Sequence, residues 1–163
     1  MYNSGTTSKL NSTSTNKGGY VSTDVGKAYV DSLYTNLADA ELKSAIKKVT
    51  ITCNSGDLNA DGTDDNGMST YTTDAYMFLA SSKEVGFTFS GYQYAAEGAK
   101  FDLFVDQTAR ANFATLANIS YTWWLRSAAS TTTNCFCIVT TSGAGNTAFA
   151  YITYAVVPAF VIG

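Results

Sequence analysis

The sequence predicts an α+β domain, and three observations carry that reading. A chain of 163 residues with 45% apolar content is enough for one core and leaves little room for a second. Two segments with helical spacing of apolar residues lie early in the chain. Short strand-like segments gather late instead of alternating with helices, which separates this chain from a βαβ architecture.

Residues 1–17 are a low-complexity run of Ser, Thr and Asn and read as an extended lead-in, leaving 18–163 as one domain. Ser22 or Thr23 is placed to cap a first helix, with Asp24 in its first turn and Val25, Tyr29, Val30, Leu33 and Tyr34 at helical spacing. A shorter helix is predicted over 39–47, with Leu42, Ala45 and Ile46 inward and Lys43, Lys47 and Lys48 outward. Residues 49–52 alternate as a strand does. Residues 54–66 form a polar, Gly-punctuated loop, and 74–80 contain Tyr76-Met77-Phe78-Leu79, an apolar run suited to a buried strand. A single helical turn is expected at 82–86, a Gly- and Tyr-rich loop at 87–101, and helix or turns at 106–116. Strands resume at 121–126, 135–140, 148–152 and 155–162.

Charge is distributed unevenly. All 10 Lys and Arg and all 13 Asp and Glu lie at or before Arg126, and residues 127–163 carry none. Soluble chains ordinarily spread charge over every exposed segment, so this segment is unusual. The net charge of −3 argues against binding a phosphate backbone. No run approaches the 18 apolar residues of a membrane span, so no membrane insertion is expected, and no signal peptide is visible. The absence of histidine removes His-based triads, His general bases and His-ligated metal sites.

Four groups could carry chemistry. Asp57, Asn59, Asp61 and Asp64, with Gly62 for a sharp turn, space oxygens as a calcium loop does, but Met68 stands where the bidentate Glu would complete it. The alternative is an Asx-rich connecting loop. Cys135 and Cys137 would share a strand face, and with Cys53 they make neither a disulfide framework nor a zinc site, so a packing role is expected. Glu84, Glu97, Asp102 and Asp106 are carboxylates of the kind a hydrolase pairs, although sequence brings no two of them together. Trp123 and Trp124, adjacent on a strand, must point to opposite faces, one into the core and one into a second layer. Arg126 is expected to hold a loop through several hydrogen bonds.

Trp123-Trp124-Leu125-Arg126-Ser127, Phe136, Val139, Gly143, Ala150 and Val156-Val157-Pro158-Ala159-Phe160 resemble the C-terminal signature of a bacterial and phage family. That family includes the variable proteins of diversity-generating retroelements. Gly18-Gly19-Tyr20, residues 37–49 and residues 78–85 are similar to it upstream, so the resemblance spans most of the chain from about residue 10. Ala128 and Val157 depart from the usual Pro and Arg.

The resemblance implies a C-type lectin-like fold of the formylglycine-generating-enzyme type, with two N-terminal helices packed on short antiparallel strands and irregular loops. It implies no enzyme and no cofactor. The expected activity is recognition of a protein or glycan ligand on a cell surface, in a phage virion or bacterial surface protein, through a segment at 128–154 diversified at adenines. Adenine-randomised Asn-type codons cannot yield Gln, Glu, Lys, Met or Trp. Residues 128–154 contain none of the five, where the density elsewhere would place about three or four. The expected display residues are Ala129, Thr131, Thr133, Cys135, Cys137, Ile138, Thr140, Ala144, Asn146, Phe149, Tyr151, Ile152 and Tyr154. Putting both Phe136 and Val139 in the supporting frame requires a bulge near Cys137-Ile138. The competing reading is an undiversified accessory domain with a structural role or a fixed ligand.

Overall fold

Thr, Val, Ile and Tyr recur along the whole chain, and strands form along the whole chain rather than only near its end. The computed structural model describes residues 7–24, 26–56, 70–87, 97–116, 122–129 and 132–163, with backbone alone for 113–116. Among these are eleven strands: β1 Thr7–Lys9, β2 Ile46–Lys47, β3 Val49–Asn54, β4 Thr70–Ala75, β5 Phe78–Leu79, β6 Trp123–Ala128, β7 Cys135–Val139, β8 Gly145–Phe149, β9 Thr153–Ala155, β10 Pro158–Ala159 and β11 Val161–Ile162. The helices are α1 Gly26–Thr35, α2 Ala40–Ala45 and α3 Gln107–Leu116, with a 3-10 turn at Tyr20–Ser22.

The α+β expectation, with two N-terminal helices packed on strands, is therefore corrected. The described residues are mainly β, and three short helices cover 20% of them. Helix α1 contributes Val30 to the core, with Tyr29, Leu33 and Tyr34 packed against it, and α2 buries no residue. The cap expected at Ser22 or Thr23 is not where α1 begins, at Gly26, and the Thr23 hydroxyl donates to the Tyr20 carbonyl at 2.7 Å. Asp39, expected as the first residue of the second helix, instead caps it, its carboxylate accepting the Leu42 N–H at 2.9 Å. The predicted strand at 74–80 is interrupted, with β4 ending at Ala75 and β5 beginning at Phe78.

Five strands form the main sheet in the order β1-β9-β6-β7-β8, with β6 and β9 parallel and the other neighbours antiparallel. The Ser/Thr-rich start of the chain is extended, and it is part of this sheet rather than a lead-in: Thr7 to Lys9 pair with Ala155 to Thr153. Three two-stranded ribbons, β3-β4, β5-β10 and β2-β11, complete the pairing among the described residues.

Both faces of the main sheet are covered. Trp124, Phe136 and Ile138 lie in one buried cluster with Tyr20, Val30 and Ile51. Trp123, Leu125, Cys137 and Val139 lie in a second with Val85, Phe87 and Phe104. The adjacent tryptophans thus anchor two layers, as their alternation requires. The bulge is in β6 and not at Cys137-Ile138. Strand β7 pairs with β8 without interruption from Cys135 to Val139, while four steps of β6, Trp124 to Ala128, span two of β7, Ile138 to Phe136. Phe136 and Val139 face opposite layers, so alternation holds and no bulge in β7 is needed.

Two turns lock the start of the chain to the end of β3. Gly19 and Gly56 have φ of 65° and 62°, and a Cβ on either would strike the main-chain carbonyl of Asn54 or Asn16 in the opposing turn. Among the described residues no helix is long and apolar enough to cross a membrane.

Candidate recognition surface

The bulge in β6 frees Arg126 from the β6-β7 ladder, and its N–H donates to the Ala80 carbonyl at 3.0 Å. The fully buried guanidinium meets Glu84 bidentately, Nη1 to Oε2 at 2.6 Å and Nη2 to Oε1 at 2.8 Å. It also donates to the carbonyls of Thr52, Leu79 and Glu97. Burial works against the Arg126 charge, but the Glu84 hydrogen bonds and the nearby carboxylates hold its pKa above the usual value.

The Glu97 carboxyl is buried beside it. Its Oε1 accepts the Asn54 N–H at 3.0 Å and its Oε2 the Ser127 hydroxyl at 2.6 Å. Burial pushes the Glu97 pKa up, against the lowering pull of Arg126 and these hydrogen bonds. Of the four candidate carboxylates, Glu84 pairs directly with Arg126, while Glu97 meets it through its main-chain carbonyl and keeps its carboxyl on Asn54 and Ser127 close by. A buried acid pair saturated by an arginine, a serine and main-chain amides is a structural knot: its acceptor oxygens are spoken for. Asp102 and Asp106 are exposed. Asp106 accepts the Ala109 N–H at 2.8 Å in the first turn of α3.

The knot and its neighbours fix the backbone of the C-terminal third. The Asn16 amide donates to the carbonyls of Ala129, Thr132 and Cys135, holding the approach to β7. Arg110 on α3 donates through Nε to the Gly143 carbonyl at 2.8 Å and through Nη1 to the Val85 carbonyl at 3.1 Å. This braces the β7-β8 turn, where the Thr140 N–H also meets the Ala144 carbonyl. Ala150, fully buried, donates to the Asn134 carbonyl, and its own carbonyl accepts the N–H groups of Leu10 and Asn11.

On either side of pinned Ala150, two aromatic side chains project outward. Phe149 is 45% and Tyr151 40% exposed, and their rings stack at 5.5 Å with an interplanar angle of 7°. Asn146 is exposed as well. Thr133, Thr140, Ala144, Ile152 and Tyr154 are half-buried; Tyr154 packs edge-on against Trp124 at 5.1 Å, and Ile152 against the same layer.

Ala129, Cys135, Cys137 and Ile138 are not displayed. All four are buried, because β7 has a strand on each side and a hydrophobic layer on each face. Thr131 lies outside the described residues, as do Asp57, Asn59, Asp61 and Asp64 of the calcium-loop spacing. Among the described residues no cluster of three or more His, Cys, Asp or Glu side chains could hold a metal ion. The three cysteines are buried and form no disulfide with one another; desolvation pushes the Cys53 thiol up to about 11 and raises Cys137.

Sequence reading missed Tyr34 and Tyr76, placing one in a helix core and the other in a buried strand. Their rings stack on each other at 4.1 Å, with Tyr76 36% exposed. The signal for Tyr76 was the Asp74–Ala75 strand end just before it, which no helical or strand period reveals.

No curated protein and no solved structure matches the chain. Its residues 6–163 match the family described as a domain of unknown function, DUF6273, and the chain belongs to that family.

Proposed function

We propose that the protein is a non-enzymatic recognition domain that presents the uncharged C-terminal surface around Phe149 and Tyr151 to a protein or glycan ligand on a cell surface. One observation carries this reading. An exposed, mutually stacked aromatic pair stands on a backbone pinned by Ala150, while the layer anchors Trp123, Trp124, Phe136 and Val139 are different side chains. Exposed large aromatics next to small hydroxyl and amide residues are the composition of a paratope. A backbone held in advance lowers the ordering cost of binding. The Glu84–Glu97 pair offers no free acid or base, which favours recognition over hydrolysis.

The resemblance to variable proteins of diversity-generating retroelements, together with the missing Gln, Glu, Lys, Met and Trp at 128–154, supports diversification of this segment within a phage or bacterial surface protein. The buried positions set limits on it. Variation would be tolerated at 146, 149 and 151 and selected against at 137 and 138, where the interior is close-packed. Sequencing the gene and its flanks across many isolates tests this. The expected outcome is an adenine-rich near-repeat, with substitutions confined to its adenines and surviving mainly at the exposed codons. Uniform synonymous drift with no such repeat would leave the undiversified accessory domain as the reading.

A further inference from the structure

A concave site lies where the last turn of α1 meets the end of β4. It has a volume of about 290 Å³ and is lined by Asp31, Tyr34, Thr35, Lys48, Asp74 and Tyr76, with Ala75. Asp31, Tyr34 and Thr35 share one face of α1 by their i, i+3, i+4 spacing. The site is pre-arranged. Lys27 Nζ holds the Asp31 carboxylate at 2.7 Å; the Asp74 carboxylate takes the Thr50 hydroxyl at 2.8 Å on one oxygen and Lys48 Nζ at 3.4 Å on the other. Lys43 Nζ sits 5.4 Å from the centre of the Tyr34 ring, so the Tyr34–Tyr76 stack is closed at one end by a cation.

We propose that this groove binds a neutral, hydroxyl-rich ring of pyranose size. The argument is from charge and shape. Both carboxylates are already paired with an ammonium group, Asp31 with Lys27 and Asp74 with Lys48, so a cation finds them neutralised and an anion meets two carboxylates. The Lys48–Asp74 pair is exposed and the Lys27–Asp31 pair partly so, and each keeps spare lone pairs or N–H groups and contributes little to folding. Fixed donors and acceptors around an aromatic face match a sugar ring, whose hydroxyls both donate and accept while its C–H face packs on a ring. The volume lies at the small end of ligand pockets, sized for one ring rather than an extended chain.

The test is an amide-resolved NMR titration of the full chain with the methyl glycosides of glucose, mannose, galactose and N-acetylglucosamine, each to millimolar excess. At least one glycoside is expected to shift the amides of Tyr34, Thr35 and Tyr76. Tyr76→Ala should weaken that binding about tenfold. Asp31→Asn, an exposed change that leaves packing intact, should also weaken it, which covers the case of an unfolded Tyr76 variant. Phe149→Ser should leave it unchanged, separating this site from the C-terminal surface. The proposal is overturned if none of the four glycosides shifts these amides, if their shifts map to 146–154 instead, or if tetramethylammonium shifts these amides and the glycosides do not.

Discussion

Arg126 and the Phe149–Tyr151 pair lie in one continuous stretch of chain, yet they are built on opposite principles. Arg126 is fully buried and its guanidinium is shared among Glu84 and three carbonyls from distant segments. Every one of those partners is lost together if the side chain changes. Phe149 and Tyr151 stack on each other, and the backbone between them is held by Ala150, whose bonds are all main-chain. Their identity is therefore uncoupled from the geometry that presents them. Substitution is costly at Arg126 and cheap at Phe149 and Tyr151.

The largest effect is expected at the knot. Arg126→Met leaves the Glu84 carboxylate buried and unpaired, and should cost about 3–5 kcal/mol. Urea unfolding of the single variants and of the Arg126→Met/Glu84→Gln double variant measures it. The double variant should recover much of the loss, since the coupled pair is removed as a unit. An Arg126→Met protein as stable as the parent would dissolve the contrast drawn here.

Arg110 tests whether the β7-β8 turn is braced from outside the uncharged segment. Arg110→Ala removes the bonds to Gly143 and Val85 and the guanidinium resting 4.6 Å from the Phe87 ring centre, at a cost of about 1–3 kcal/mol. The loss should be local: hydrogen exchange at the Thr140 amide should speed up more than at the Cys137 amide, deep in the sheet.

Glu97 gives the knot a pH signature. Burial raises its pKa in the fold above the ordinary 4.5, so the folded state binds a proton more tightly than the unfolded chain. Its stabilising contribution is full below about pH 4.5 and is lost as pH rises to the folded-state pKa, by up to about 1.4 kcal/mol per pH unit. Glu97→Gln should flatten stability across that window. Asp24 and Asp74 act oppositely and elsewhere. Hydrogen bonds from Ser12, and from Thr50 and Lys48, lower their pKa values, so their contribution disappears only as pH falls below about 3.8. Stability measured against pH in parent and variant separates the two windows.

Much of this arrangement could be read from residues alone, and the failures share one cause. The existence of the two early helices and the opposite facing of Trp123 and Trp124 depend on near neighbours and were legible, whereas the residue that caps each helix was not. The strand at Thr7–Lys9 was not, because its partner lies at 153–155 and a Ser/Thr-rich run carries no apolar alternation. Alternation in β7 correctly separated Phe136 and Ile138 from Cys137 and Val139. It could not reveal that both faces are covered, so Cys135, Cys137 and Ile138 were expected on the surface. The meeting of Glu84 and Glu97 with Arg126 spans 42 and 29 positions and leaves no periodic trace. Phe149 and Tyr151, expected as display residues, are exposed on either side of buried Ala150.

The smallest effect is expected where function is proposed. Phe149→Ser/Tyr151→Ser removes a stacked pair that is already near half exposed, so each change should stay within about 0.5 kcal/mol and the double variant within about 1 kcal/mol. Tyr154→Ser is the matched control, because Tyr154 is half-buried with its ring against Trp124 and lies in the same uncharged segment. Losing that edge-to-face contact and the buried part of the ring should cost about 1–2 kcal/mol, more than both exposed changes together. The order of these two losses, read from urea midpoints at constant slope, decides the matter. If the Phe149/Tyr151 variant falls further than Tyr154→Ser, the aromatic pair is holding the sheet together, and a surface free to vary cannot be located there.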